Sequence, residues 1–567
     1  MSIDRQGDRG ILAIWIGLLL LLNLFLVAAL FFPLTPVVAL CILLPVLIIA
    51  LWEQQNRIFI RQLLLIRQTK LLLILLPLLA ASITGIQVIH WYDSGLYHIQ
   101  DIKWLATFGL VPGLALIHSR FGFVSSWFTF AAPFDHGALA GHVASLPGGF
   151  CVFMLLSSWS ITMFRIMQNR ARTQDWFLLT ASSLALPLII LRWITVSPSP
   201  DLPVIVLVIF TGWSILAAAE ASRLHPLLAR EIINVRLLPL FLSTGAVTIK
   251  LSALPLLVIS FLFYLSGSSS RRLLRNVLAA GFLILAILVP LAAAGIITSG
   301  CAFYPAPYLC TDLPWSLGTV QAAAESVIIR DWARWNDPTP AGASSLDWII
   351  PWLQADMVVT LLIILTLFST LFIFAVSRGK LRDRNGYIMA LGLLGTAFMF
   401  YNAPTWRFGL GYLLVVPSLA VSVIQNRFNL RWQHSSGTMR QVVAASLIGI
   451  LVLFILPSSL ILRYSHAMID KTLQEYPRER PNEIPFNILI PPGTWNMEYD
   501  MDKDTDDIVA YPMILKKEQI GDISYYRSSD GETCWDAPLP CAPHILHGVK
   551  LRYPAKGIAG GFVRTTP

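Results

Sequence analysis

His90–Phe128 reads HWYDSGLYHIQDIKWLATFGLVPGLALIHSRFGFVSSWF, and how it is read decides the fold. It follows directly on an apolar run, Leu71–Ile89. Asp93, His98, Asp101, Lys103, His118 and Arg120 crowd into it, where a membrane protein would ordinarily place a minimal turn. Ionisable groups gathered just outside a span mark a candidate site at the membrane surface. Leu96, Ile99, Ile102, Leu105 and Ala106 recur at helical spacing, with Gln100, Asp101 and Lys103 among the remainder. Val111-Pro112-Gly113 separates that run from a second, aromatic one reaching Phe130. The pattern predicts two amphipathic helices lying on the outer leaflet, with Trp91, Tyr92, Trp104, Trp127 and Phe128 as an interfacial belt.

Outward from this stretch the chain is apolar. Of 567 residues 56% are hydrophobic and 13% charged, a balance that excludes an ordinary soluble protein of several domains. The formal charge of +9 would suit a nucleic-acid binder, but Lys and Arg fall in short clusters between apolar runs, so they report topology and no nucleic-acid partner is expected. Runs able to cross a bilayer lie at about 11–32, 36–51, 71–89, 148–166, 176–194, 203–221, 276–297, 353–376, 387–401, 408–424 and 441–462. The first is too long for a signal-peptide core and is read as a retained span. Basic clusters such as Arg57/Arg61/Arg67/Lys70, Arg165/Arg170/Arg172 and Arg378/Lys380/Arg382/Arg384 alternate with these runs and put the amino terminus in the cytoplasm.

Arg236 and Arg271 both belong inside, yet the 34 residues between them are almost wholly apolar and too few for two crossings. A pair of short or re-entrant helices, interrupted near Ser243–Lys250 by Gly245 and Lys250, resolves the conflict. The expectation is an all-α polytopic membrane protein with about eleven spans plus that pair. Residues 1–70 would form two amino-terminal spans and a basic link, and 71–462 the main membrane module with outer loops 90–147 and 298–352. Residues 463–567 would form a small extracytoplasmic β or α/β domain. Cys301/Cys310 (CAFYPAPYLC) and Cys534/Cys541 (CWDAPLPC) fall as close pairs on the outer side, which fits two disulfides in an oxidising compartment.

A long first outer loop with an Asp just after its membrane helix, followed by interfacial helices in a large polytopic frame, resembles the GT-C superfamily of membrane glycosyltransferases. The segments DSGLYH, IKW, GLVPGLA, HSRFGF and SSWF, with SPDLP at Ser199–Pro203 and CWDAPLPC near the end, are similar to a family of bacterial multi-pass proteins of unassigned function. The GT-C resemblance implies a polyprenyl-phosphate-linked sugar as donor and a glycan or lipid as acceptor. It also implies a place in the bacterial inner membrane, where the tail, outside by the count of basic clusters, would face the periplasm. Asp93 matches the acid that acts there as base or helps to hold a divalent metal, Mg2+ or Mn2+; Ser94 stands where many members have a second acid. Trp406-Arg407-Phe408-Gly409 is similar to the segment that meets the carrier phosphate, and Ile249–Leu254 to a lysine-bearing helix start. Two extra spans precede the Asp-bearing loop.

The chemistry needs few parts. A carboxylate must take the proton of an attacking hydroxyl, and fixed cations must receive the phosphate that leaves. Asp93 is the candidate base. Arg407, Arg120, Lys250 and Lys103 are candidates for substrate binding, and His98 could position the base or join Asp93 at a metal. Simpler roles suit the same residues: Asp93 as a helix cap, Arg407 as a head-group anchor, Lys250 as a lysine snorkelling to the interface. A flippase for a lipid-linked sugar and a polysaccharide polymerase or ligase are the alternative functions.

Overall fold

The computed structural model describes residues 3–54, 56–58, 61, 68–85, 91–141, 143–192, 194–225, 231–268, 270–336, 338–377, 384–432, 515–529 and 531–564. The span expected at 441–462 and most of the tail expected from 463 lie outside the described residues. In chain order the helices are α1 (Gln6–Ala29), α2 (Pro36–Trp52), α3 (Gln68–Gly85), α4 (Ile99–Thr107), α5 (Phe128–Ala131), α6 (Leu146–Met167), α7 (Thr173–Leu191) and α8 (Asp201–Leu224). They continue with α9 (Leu237–Ile249), α10 (Leu254–Leu265), α11 (Leu273–Ser299), α12 (Gly318–Trp335), α13 (Ile349–Ala355), α14 (Met357–Val376), α15 (Arg384–Asn402) and α16 (Trp406–Trp432). Among the described residues seven, α1, α6, α7, α8, α11, α14 and α16, are long and apolar enough to cross a membrane; α2, α3, α9 and α10 contribute shorter apolar helices.

α8 is the axis. Every residue from Asp201 to Ala219 is buried, and a helix apolar on all faces belongs at the centre of a bundle. α7, α9 and α16 pack around it, with Phe177, Phe210, Trp213 and Leu413 in one continuous core. On the periphery α11 and α14 leave Phe282, Leu285, Phe368 and Leu371 exposed, an outward apolar surface that suits lipid. At the end of the bundle away from Asp93, Arg165 donates to Asp8 Oδ1 (2.6 Å) and Asp175 Oδ1 (2.9 Å), tying α1, α6 and α7 together.

α9 and α10 are about 20 and 18 Å long, short of the roughly 30 Å of a bilayer core. Their break falls at Lys250, whose backbone is extended, and is followed by a 3-10 turn over Leu251–Ala253. Pro255, which has no N–H to give, then opens α10. Gly245, expected to interrupt the run, lies inside α9: a Cβ there would meet Leu19 Cδ1 at 2.7 Å, so this glycine lets α1 approach.

The outer loop also departs from expectation. Only the first helix forms, as α4 preceded by a π-helical turn over Ser94–His98. The second run folds into 3-10 turns and the single turn of α5: Gly122 falls within it, and almost every apolar side chain finds its own buried site. Trp104, Trp127 and Phe128 are buried core residues and form no interfacial belt. Gln100 and Asp101, expected on the polar side, are buried too, Gln100 because the tail covers it.

That tail contributes two antiparallel pairs, β1 (Leu515–Ile520) with β2 (Ile523–Ser528) and β3 (Val549–Leu551) with β4 (Phe562–Arg564). Tyr525, Val549 and Phe562 share one apolar cluster with Trp104, Leu114 and Phe121 of the loop, and Phe562 N donates to Pro112 O at 2.8 Å. Cys301–Cys310 and Cys534–Cys541 are disulfide-bonded.

Candidate functional site

Asp93 leads the π-helical turn, and Arg407 opens α16. A guanidinium at the positive end of a helix is disfavoured unless acids meet it. Two do: Arg407 Nη1 pairs with Asp93 Oδ2, and Arg407 Nε lies 3.6 Å from Asp201 Oδ2. Asp201 begins α8, where the helix terminus favours a carboxylate, and its Oδ1 pairs with Lys250 Nζ at the break between α9 and α10. Asp93, Arg407, Asp201 and Lys250 thus form one chain of alternating charge, drawn from four segments and joining residues 314 positions apart.

Serines close the chain into a ring. Ser94 Oγ and Ser197 Oγ are 2.7 Å apart, Ser199 N donates to Ser197 Oγ (3.1 Å), and Ser199 Oγ donates to Asp201 Oδ2 (3.2 Å). Aromatic faces frame the cations: Arg407 lies 5.2 Å from the ring centres of Trp332 and Phe408 and 5.8 Å from Trp91, and Lys250 lies 3.9 Å from Phe408. Arg407 Nε is buried without a hydrogen-bond partner, so the fork keeps donor capacity beyond Asp93.

Burial alone would raise the Asp93 carboxyl, but the Arg407 guanidinium outweighs it and holds the group at about 2. Burial takes His98 down to about 3, leaving a neutral imidazole against the rings of Tyr97 (4.3 Å) and Phe128 (5.5 Å). Burial also raises Asp101 well above the ordinary carboxylate range.

The structure joins Asp93, Arg407 and Lys250 in one chain of ion pairs, while the other candidates make contacts of their own. Arg120 pairs with Glu325 on α12 at 3.2 Å. Lys103 donates to Asp536 O (2.8 Å) and pairs with Asp536 Oδ1 (3.2 Å), holding the tail. His98 is packed in aromatic surroundings beneath the site. Among the described residues no three His, Cys, Asp or Glu side chains group as a metal site. The Asp93 carboxylate pairs with Arg407, and His98 Nδ1 makes no hydrogen bond.

Two participants lay hidden in the sequence. Asp201 sits in SPDLP, where it reads as an ordinary helix start. The Cys534–Cys541 hairpin is the other: Cys534 N and Trp535 N both donate to Gly95 O (2.7 and 2.8 Å), and Gln100 Nε2 donates to Trp535 O (3.0 Å) and Ala537 O (2.9 Å). A Cβ on Gly95 would lie 2.4 Å from the Trp535 ring, so glycine is what lets the hairpin seat on the turn beside Asp93.

Fold and site together define a mostly helical protein with several membrane-length apolar helices and a charged cluster where four of its segments end. The chain belongs to the family described as a domain of unknown function, DUF8201, which matches residues 2–414 and so includes Asp93, Asp201, Lys250 and Arg407. No curated protein and no solved structure matches the chain.

Proposed function

We propose that this protein is an inverting membrane glycosyltransferase that moves a sugar from a polyprenyl-phosphate-linked donor to a glycan, glycolipid or polysaccharide acceptor on the outer face of a bacterial inner membrane. About eleven spans, a cytoplasmic amino terminus and a periplasmic tail belong to the same reading. The observation that supports it most is the meeting of Asp93 and Arg407, read separately as base and phosphate ligand, with Lys250 joined to them through Asp201.

While paired with Arg407, Asp93 is too weak a base for a sugar hydroxyl near neutral pH. The donor phosphate competes for the same guanidinium fork and, once bound, separates the pair. Burial then acts on Asp93 without its counter-charge and raises its affinity for a proton. The acceptor oxygen attacks the anomeric carbon and gives its proton to Asp93 while the bond from that carbon to the phosphate oxygen breaks. The leaving phosphate keeps its charge against Arg407 and Lys250.

Asp93→Asn preserves size and hydrogen bonding but cannot take the proton. Transfer from a labelled donor is expected to fall about 10²–10⁴-fold, with donor binding retained. Parental transfer rates in folded Asp93→Asn would remove Asp93 from the mechanism. The broken α9/α10 pair favours a second reading, a carrier for the lipid-linked sugar, since discontinuous helices line the sites of many transporters. Such a carrier would move the donor across a bilayer without consuming it.

A further inference from the structure

At the end of the bundle away from Asp93, a cavity of about 320 Å³ opens where α7 begins, α8 ends and α15 begins. Arg172, Thr173, Trp176, Glu220, Arg223 and Arg384 line it, and three arginines against one glutamate leave the lining a formal charge of +2. Arg172 Nη1 lies 3.2 Å from Glu220 Oε1, so that pair is satisfied within the wall. Arg223 is exposed at the mouth and Arg384 is half-buried. All three cations are arginines, whose planar forks suit phosphate oxygens better than a lysine's point charge does. The volume accommodates a phosphate with a small esterified group.

We propose that this cavity is a phosphate-ester site, in which Arg223 and Arg384 grip the phosphate and Thr173 and Trp176 flank the esterified group. Basic pockets between membrane helices take anionic lipid head groups, and a soluble phosphate ester offers the same chemistry. The site shares no residue with the Asp93 cluster and stands independently of the glycosyltransferase reading.

The test is equilibrium binding to the purified full-length protein in phospholipid-free detergent. The probes are short-chain phosphatidylglycerol and glycerol 3-phosphate, each against wild type, Arg223→Gln and Arg384→Gln, with folding checked by thermal unfolding. Saturable binding is expected, weakened about tenfold by each substitution through the lost charge-assisted hydrogen bonds. Arg223→Lys should recover little of it. Substitution-sensitive binding of phosphatidylglycerol alone assigns a lipid, and of glycerol 3-phosphate a soluble ester. Arg223 is exposed and its replacement is expected to leave folding intact, so the test stands even if Arg384→Gln does not fold. Absence of saturable binding of both probes to wild type, or unchanged binding in folded Arg223→Gln, overturns the proposal.

Discussion

Asp93 and Arg407 hold each other at the start of the proposed cycle, and that pairing has kinetic consequences. In the free protein Arg407 keeps the Asp93 carboxyl at about 2, so this ion pair contributes stability above the ordinary carboxylate range and loses it only as pH falls towards that value. Donor binding removes the counter-charge. The acid limb of kcat is therefore expected at higher pH than that of kcat/KM, because the first reports the donor complex and the second the free enzyme. Coincident acid limbs would contradict displacement of Arg407. Replacing Arg407 by Lys keeps a charge but loses the fork, and should weaken donor binding by about tenfold or more while leaving insertion normal. Unchanged donor affinity would return Arg407 to an anchoring role. Lys250 was legible because a charge inside an apolar run breaks the pattern, and Asp93 and Arg407 chiefly through the resemblance of their segments to the GT-C superfamily. Asp201 was not, since an acid after Ser-Pro-Ser-Pro looks like any helix start and its partners lie far away in the chain.

At the scale of elements, the disulfide hairpin of the tail and the turn beside Asp93 act as one unit. Gly95→Ala drives a Cβ into the Trp535 ring. It is expected to loosen the hairpin, making Trp535 more accessible to a collisional quencher and lowering transfer. Removing the Cys534–Cys541 bridge should do the same less severely, and unchanged accessibility in both variants would show that the hairpin does not brace the turn. The helices themselves were largely readable, since long apolar runs between basic clusters have few alternatives in a bilayer. The amphipathic pair was readable only by half. Helical spacing located α4, but its polar face meets Gln100's partners in the tail and not water, a contact made more than 400 positions away. The second run kept its apolar residues yet formed no continuous helix, its side chains filling separate buried sites along 3-10 turns.

Across the whole molecule, ionic clusters occupy both ends of the bundle, and they differ in kind. Arg165 lies between Asp8 and Asp175, both almost fully buried, and Arg5 adds a bond to Asp175 at 2.7 Å. Arg165→Ala would leave Asp8 in the core with only Arg5 at 3.9 Å, and a loss of about 3–5 kcal/mol in stability is expected from a broken buried pair. An unfolding temperature equal to wild type would show that the acids take up protons without penalty. At the other end the cations face aromatic rings and a spare donor, an arrangement suited to accepting a phosphate. The direct measurement is a sided assay in reconstituted vesicles, with a labelled polyprenyl-phosphate sugar and an acceptor enclosed or external. Sugar is expected to appear on acceptor presented at the Asp93 end and to be lost with Asp93→Asn, whereas movement of intact donor across the bilayer without any transfer would contradict an enzyme at this site.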